Sequence, residues 1–310
     1  MWRIGFLVGF VVSIALTACS QPEEPTGSTR SSPIVVVTGA TGTQGGAVAR
    51  ELLKRGYRVR ALTRNTEQPA AAALRAAGAQ VVQGNYDDGD SLRAAMQGAH
   101  GVFAVTDSAE HGAPREIDHG RALIYAAEDS GIAHFVFSSV ASADENTGIA
   151  HFDSKYAIEE MLAESDLAYT VLRPVEFMDN WQRYSRDALR AGDYINPRDG
   201  SDMHQWIAAS DIGFFVGEAF DNPDEWLGRT EELAGDEMSI DELVQVMSES
   251  LGHPVRHVQP EWAEYNANVS EDIATMYRWF ATQGYAVNIE ALRSRYPDLV
   301  RVRDYLETLE

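Results

Sequence analysis

Residues 34–46 read Ile-Val-Val-Val-Thr-Gly-Ala-Thr-Gly-Thr-Gln-Gly-Gly. The β-branched run Ile34 to Val37 predicts a buried parallel strand. It runs into three glycines spaced by three, Gly39, Gly42 and Gly45. A helical pattern follows, with Val48, Leu52 and Leu53 on one face. Strand, glycine-rich turn and helix in this order lay a pyrophosphate on a helix N-terminus. Gly39 then permits the tight turn, Gly42 removes the Cβ that would block the phosphates, and Gly45 lets the helix pack close to the strand. Thr41, Thr43 and Gln44 complete the expected cradle. The spacing is GxxGxxG, not the GxGxxG of the common dinucleotide fingerprint. The flanking strand and helix are what separate it from an ordinary glycine-rich turn.

Outward from this point the first half alternates strand and helix. Strands are expected at 58–62, 80–83, 101–105, 134–137 and 169–172, with helices over 70–77, 91–96, 115–129 and 153–164. Right-handed crossovers make this an α/β fold, a doubly wound parallel sheet of the NAD(P)-binding Rossmann type. The ligand crevice then lies at the carboxyl ends of the strands.

Residues at those ends suit a nucleotide. Arg64 closes the second strand, where an acid would meet ribose hydroxyls and an arginine suits a 2′-phosphate. It points to NADP, against the competing reading of a surface arginine. Asn85 and Asp87 end the third strand on the adenine side, although Asp87 equally fits as the cap of the next helix. Thr106 ends the fourth strand, on the nicotinamide side.

Residues 1–19 form a different unit. Arg3 precedes an apolar run that ends in small residues, the pattern of a secretory signal. The only cysteine, Cys19, closes it, and Leu16-Thr17-Ala18-Cys19 resembles the lipobox of bacterial lipoproteins. That resemblance implies cleavage before Cys19, lipid on its thiol and a domain held at a bacterial membrane, facing the periplasm or the cell exterior. Residues 20–33 carry no large apolar side chain and are expected to be a disordered tether. One cysteine excludes an intramolecular disulfide.

The formal charge is −22, from 47 acidic and 25 basic residues, and only Lys54 and Lys155 are lysines. Such a chain repels phosphate backbones, so direct nucleic-acid binding is not expected. No metal-ligand spacing stands out among the eight histidines, and no GxSxG nucleophile motif is present. A protein partner or a homo-oligomer stays open.

The segments Val37–Gly45, Leu62–Asn65, Val82–Asp88 and His151–Lys155 together resemble the NmrA-like family, atypical members of the short-chain dehydrogenase/reductase superfamily. The similarity is closest to the NADPH-sensing branch. Ile207–Gly213 and Ser239–Leu243 match the family's second half, and Ser239 with Glu242 reads independently as a capping box. The resemblance implies an NADP-binding Rossmann domain over 34–172 and a smaller, mostly helical lobe over 173–310 for a substrate or partner. Some such proteins sense the NADPH/NADP ratio; others reduce quinones or enones.

Typical short-chain dehydrogenases use Ser and then Tyr-x-x-x-Lys. The tyrosine moves the proton and the lysine lowers its pKa and holds the ribose. Here Ser138 and Ser139 stand where the family serine belongs, and His151 with Lys155 keeps the spacing. Histidine replaces tyrosine. Lys155 retains a ribose-binding role, and His151 is the candidate proton donor, with packing beside the cofactor as the competing reading. Trp181, Met203 and Trp206 read as core first and pocket lining second.

Two readings follow: a redox-responsive NADP(H) sensor with weak or no catalysis, slightly favoured by the missing tyrosine, and an NADPH-dependent reductase of a quinone or small carbonyl compound. A third comes from the export signal. A chain that crosses a membrane unfolded carries no dinucleotide, which leaves an extracytoplasmic scaffold with an idle cofactor site.

Overall fold

In a computed structural model of the chain, residues 1–2 and 32–309 are described. Cys19, the expected lipobox and the tether as far as Ser31 lie outside the described residues. Among the described residues no helix is long and apolar enough to cross a membrane.

The predicted strand is β1 (Ile34–Val37), and it lies inside a seven-stranded sheet. β2 (Arg58–Thr63), β3 (Gln80–Gln83), β4 (Gly101–Val105), β5 (His134–Ser138) and β6 (Tyr169–Pro174) follow in the chain. β7 (Glu176–Phe177), β8 (Asp193–Ile195), β9 (Met203–Ile207), β10 (Thr230–Leu233), β11 (Asp236–Ser239) and β12 (Arg256–Val258) complete the strands. The main sheet has the order β10-β6-β5-β4-β1-β2-β3 with every neighbouring pair parallel. The order in which strands are added reverses between β1 and β4, and this opens the crevice of a doubly wound fold.

The unbroken apolar run of β1 reflects burial on both faces. Val35 and Val37 pack with Ile212, Phe215 and Val216 on one side, and Val36 packs with Leu92, Leu123 and Ala127 on the other. Those layers are the crossover helices α1 (Thr43–Lys54), α2 (Pro69–Ala76), α3 (Gly89–Met96), α4 (Ala113–Asp129) and α5 (Ala150–Ala163), joined by the later helix Ala209–Asp221. That helix sits close on α1, since a Cβ at Gly213 would come 3.0 Å from the Ala47 carbonyl oxygen. Arg55 locks the contact through Glu51 (2.8 Å), Glu218 (2.8 Å) and Asp221 (2.6 Å).

Across the boundary expected between residues 172 and 173, residues 32–309 belong to one compact unit: β10 returns to pair with β6 and the helix Ala209–Asp221 returns to cover α1. The remainder builds two small sheets, β11-β9-β7 and β12-β8, and a second core around Trp181, Trp206, Leu243, Met247 and Leu306. Trp181 and Trp206 are core, as read first, whereas Met203 is half exposed. Ser239 and Glu242 form the full capping box of the helix Ile240–Leu251.

Candidate functional site

The turn after β1 is shaped to leave space. Gly39 has φ +56°, where side chains are strained, and a Cβ there would come 2.7 Å from Val105 Cγ1. A Cβ at Gly45 would collide with the Gly39 carbonyl oxygen, so only glycine lets α1 start against the turn. Gly42 is the N-cap of α1 and offers no side-chain acceptor. The first amides of α1, at Thr43, Gln44 and Gly45, therefore face the crevice without an internal cap, and the first backbone bond of the helix is Gly46 N–H to Gly42 O, 2.9 Å. Amides left open at the positive end of a helix dipole bind phosphate oxygens.

The neighbouring residues divide between rim and floor. Thr41 lies with its hydroxyl 3.5 Å from that of Thr63 at the end of β2. Gln44 is buried and donates from its amide to Ser138 Oγ, so its side chain ties α1 to β5. Arg64 is 65 % exposed at the rim, where Nη1 donates to both carboxylate oxygens of Glu110, at 2.8 and 3.0 Å. Asn85 Oδ1 accepts from the Asp87 amide, 3.2 Å. The helix-cap reading of Asp87 is corrected: Asp88 caps α3, accepting from Asp90 N and Ser91 N. Asp87 instead accepts from Arg115 and from His119 Nε2, and the His119 hydrogen bond holds it below the ordinary carboxyl range. Tyr86 folds back over the sheet and donates to Val105 O, 3.0 Å.

The floor contains an acid that sequence reasoning missed. Glu116, in the first turn of α4, is fully buried. It accepts from Thr106 Oγ1 (2.8 Å), Ser154 Oγ (2.5 Å) and Lys155 Nζ (2.8 Å). Burial alone would raise its pKa; the Lys155 ammonium and the two hydroxyls more than reverse this and hold it low. Lys155 also reaches Thr106 O (3.1 Å) and Thr106 Oγ1 (3.3 Å) and lies 5.8 Å from the Phe137 ring centre. Thr106 and Lys155, predicted on separate grounds, are thus brought together at the end of β4.

Ser139 follows β5, is buried, and its Oγ finds no hydrogen-bond partner in the protein. His151 sits in the first turn of α5 and turns toward the C-terminal half. Its Nδ1 lies 2.5 Å from Asp272 Oδ2, and its backbone amide donates to Asp272 Oδ1, 3.3 Å. An ionised carboxylate only accepts, so Nδ1 carries the proton and Nε2 is left for another partner. Burial would raise Asp272; the His151 side-chain bond and charge together with the backbone amides of His151 and Ala150 more than reverse this and hold the carboxyl below its ordinary range. Asp272 also serves as the cap α5 lacks, since its N-cap residue is Ile149. Among the described residues no group of three or more His, Cys, Asp or Glu is placed to hold a metal.

Comparison with known proteins agrees with this geometry. Residues 31–306 match the NmrA-like family, and the chain belongs to it. The NmrA-like family domain-containing oxidoreductase FrzB of Cladobotryum sp is 29 % identical, with 81 % of this chain and 84 % of that protein covered. The NAD(P)H azoreductase of Xenophilus azovorans is also 29 % identical, with 73 % and 76 % covered. Among solved structures, the triphenylmethane reductase of Citrobacter sp. complexed with NADP(H) superposes with a TM-score of 0.76 at 23 % identity, covering 90 % of this chain and all of that one.

Proposed function

We propose that the protein is an NADP(H)-dependent reductase of a conjugated acceptor such as a quinone. The observation that carries this reading is Ser139: a buried hydroxyl without a protein partner, at the end of β5, beside the strand whose end holds the Thr106–Lys155–Glu116 network. An unmet buried polar group costs about 1–3 kcal/mol, which a bound ligand would recover.

The residues present fit a dinucleotide. Gly42 to Gly45 would hold the pyrophosphate, Arg64 the 2′-phosphate after exchanging Glu110, and Asn85 and Tyr86 would border the adenine. Lys155 would take a ribose hydroxyl in place of its longest contact, Thr106 Oγ1 at 3.3 Å. The nicotinamide would lie over Thr106 and Ser139 and would supply a hydride. His151 would deliver the accompanying proton from Nε2, with Asp272 fixing Nδ1–H and stabilising the imidazolium. The azo and triphenylmethane substrates of the relatives named above support a flat aromatic acceptor.

A sensor is the second reading, favoured by the His151–Asp272 joint, which ties the helix carrying Lys155 to the helix Glu271–Thr282. Nucleotide at Lys155 would then shift the C-terminal half without turnover. Titration with NADPH followed by a quinone and azo-dye screen separates the two: NADPH oxidation supports the reductase, and binding without oxidation supports the sensor. The cellular placement we infer, a domain tethered to a bilayer through lipid on Cys19, rests on the Leu16–Cys19 motif. Cys19→Ser should abolish acyl labelling, and an unlabelled wild type found in the soluble fraction would refute it.

A further inference from the structure

Arg173 stands one residue before the end of β6, and the dinucleotide crevice as built above makes no use of it. Its side chain is 9 % exposed and meets two acids from two other segments. Glu159 accepts from Nε at 3.0 and 3.2 Å and from Nη2 at 2.7 Å. Nη1 lies 2.8 Å from Asp144 Oδ1. Such a planar fork fixes direction as well as distance, which a lysine ammonium cannot do.

Each acid belongs to an element of the candidate site. Glu159 lies on α5, four residues beyond Lys155 and eight beyond His151, so the three share one stripe of that helix. Asp144 lies in the segment that leaves β5 with Ser139. That segment runs beside β6 as far as Ala141: Ser139 N–H donates to Leu172 O, 2.8 Å, and Ala141 N–H to Pro174 O, 3.0 Å. The chain then turns through Ser142, which is buried at φ +61°. A serine keeps this left-handed conformation where the contacts around it impose it. Glu232 in β10 supplies one, accepting from Ser142 N–H at 2.9 Å, and the Asp144–Arg173 pair supplies the next. Burial would raise the Asp144 carboxyl; the Arg173 hydrogen bond and charge, with the Asp144 backbone amide, more than reverse this and hold it below its ordinary range.

We propose that Arg173 is a positioning residue for the nicotinamide end of the site: it sets the Ser139 hydroxyl against Lys155 and His151. Backbone bonds fasten the Ser139 segment to β6, and Arg173 fastens β6 to α5 through Glu159. Its second arm, to Asp144, closes the turn just past the last of those bonds, so that they do not peel back toward Ser139. Lys155 has Glu116 and Thr106 to hold it. Ser139 Oγ has no protein partner, so its place follows the backbone alone. The proposal rests on the reading above that lays the nicotinamide over Thr106 and Ser139.

The test is a double-mutant cycle in nucleotide binding, which needs no turnover. Arg173→Lys, Ser139→Ala and the double variant are titrated with NADPH and with adenosine 2′,5′-bisphosphate, which lacks the nicotinamide. Each single change should weaken NADPH about three- to tenfold, the size of one lost hydrogen bond, and leave the bisphosphate unchanged. The double variant should be no weaker than the weaker single, because Arg173 acts through Ser139. Losses that multiply, or that appear equally with the bisphosphate, are those of a merely structural ion pair and overturn the proposal. Either single variant binding NADPH like wild type overturns it as well. If Arg173→Lys fails to fold, Asp144→Ala, which leaves the buried Arg173–Glu159 pair intact, takes its place in the same cycle. NADPH oxidation by wild type with a neutral naphthoquinone is read in parallel. Coupled losses without oxidation support the positioning role and defeat the reductase reading; oxidation with multiplying losses does the reverse.

Discussion

Lys155 and Glu116 are joined at 2.8 Å, with the glutamate side chain completely buried and the lysine side chain 14 % exposed. The ribose-binding lysine of the proposed site is therefore held in place before any nucleotide arrives. Its rigidity comes from an acid contributed by a different helix, α4, whose first turn reaches under the end of β4.

Breaking a buried pair leaves an uncompensated charge and costs about 3–5 kcal/mol. Glu116→Ala should destabilise by that order, Glu116→Gln by less, and both should weaken NADPH binding. Because the folded carboxyl titrates below its unfolded value, its contribution is present above the ordinary Glu range and lost as pH falls through the folded value. Thermal melts against pH should show a shallower acid limb in Glu116→Gln than in wild type.

Arg64 already holds Glu110 across the rim. Arg64→Ala should weaken NADPH by about tenfold or more and leave NADH nearly unchanged, since one charge-assisted contact to the 2′-phosphate is lost. Glu110→Gln should act in the opposite direction and tighten NADPH modestly. Fluorescence titration with both nucleotides decides it, and equal losses for the two would remove Arg64 from the 2′-phosphate site.

The His151–Asp272 pair predicts a split between binding and turnover. His151→Ala should lower kcat by roughly 10²–10⁴ while the NADPH Kd holds, the usual contribution of a general acid. Asp272→Asn should lower kcat less, because the imidazole stays but loses its orienting carboxylate. Steady-state kinetics on both variants check this, and a His151→Ala enzyme at full speed would refute the assigned proton donor.

Asp211 is buried in the first turn of the helix Ala209–Asp221, accepts from Val300 N–H at 2.9 Å, and is pushed by burial up to about 7. A carboxyl raised in the folded state favours folding below its unfolded pKa, and that advantage is lost as pH rises toward the folded value. Asp211→Asn keeps an acceptor for Val300 without the charge. It should therefore raise Tm at pH 8 by a few degrees, at roughly 2–4 °C per kcal/mol, with little effect at pH 4.

Much of this was legible because a buried parallel strand is written in a β-branched run, as at Ile34–Val37, and because a glycine turn needs glycine. What escaped was set by distance in the chain. β10 reads Thr-Glu-Glu-Leu, an edge strand with charged side chains and no apolar run to announce it. α5 begins at Ala150 rather than Asp153 because its cap, Asp272, comes from 121 residues away. α4 begins at Ala113, ahead of Arg115, because Pro114 suits a first turn. Glu116 reads as an ordinary acid near a helix start; only the fold shows that Thr106, Ser154 and Lys155 converge on it. The joint of Arg173 with Glu159 and Asp144 left no spacing signal, because its three segments meet only in the folded chain.

The central claim is that the crevice above Thr106 and Ser139 passes a hydride from NADPH to an acceptor. The direct measurement is a single turnover, with the folded domain in excess over NADPH, mixed with a naphthoquinone while the reduced-nicotinamide absorbance is followed. The account predicts an exponential loss of that band far faster than in buffer, slowed strongly in His151→Ala. A band that persists at the buffer rate, with NADPH bound, would contradict it.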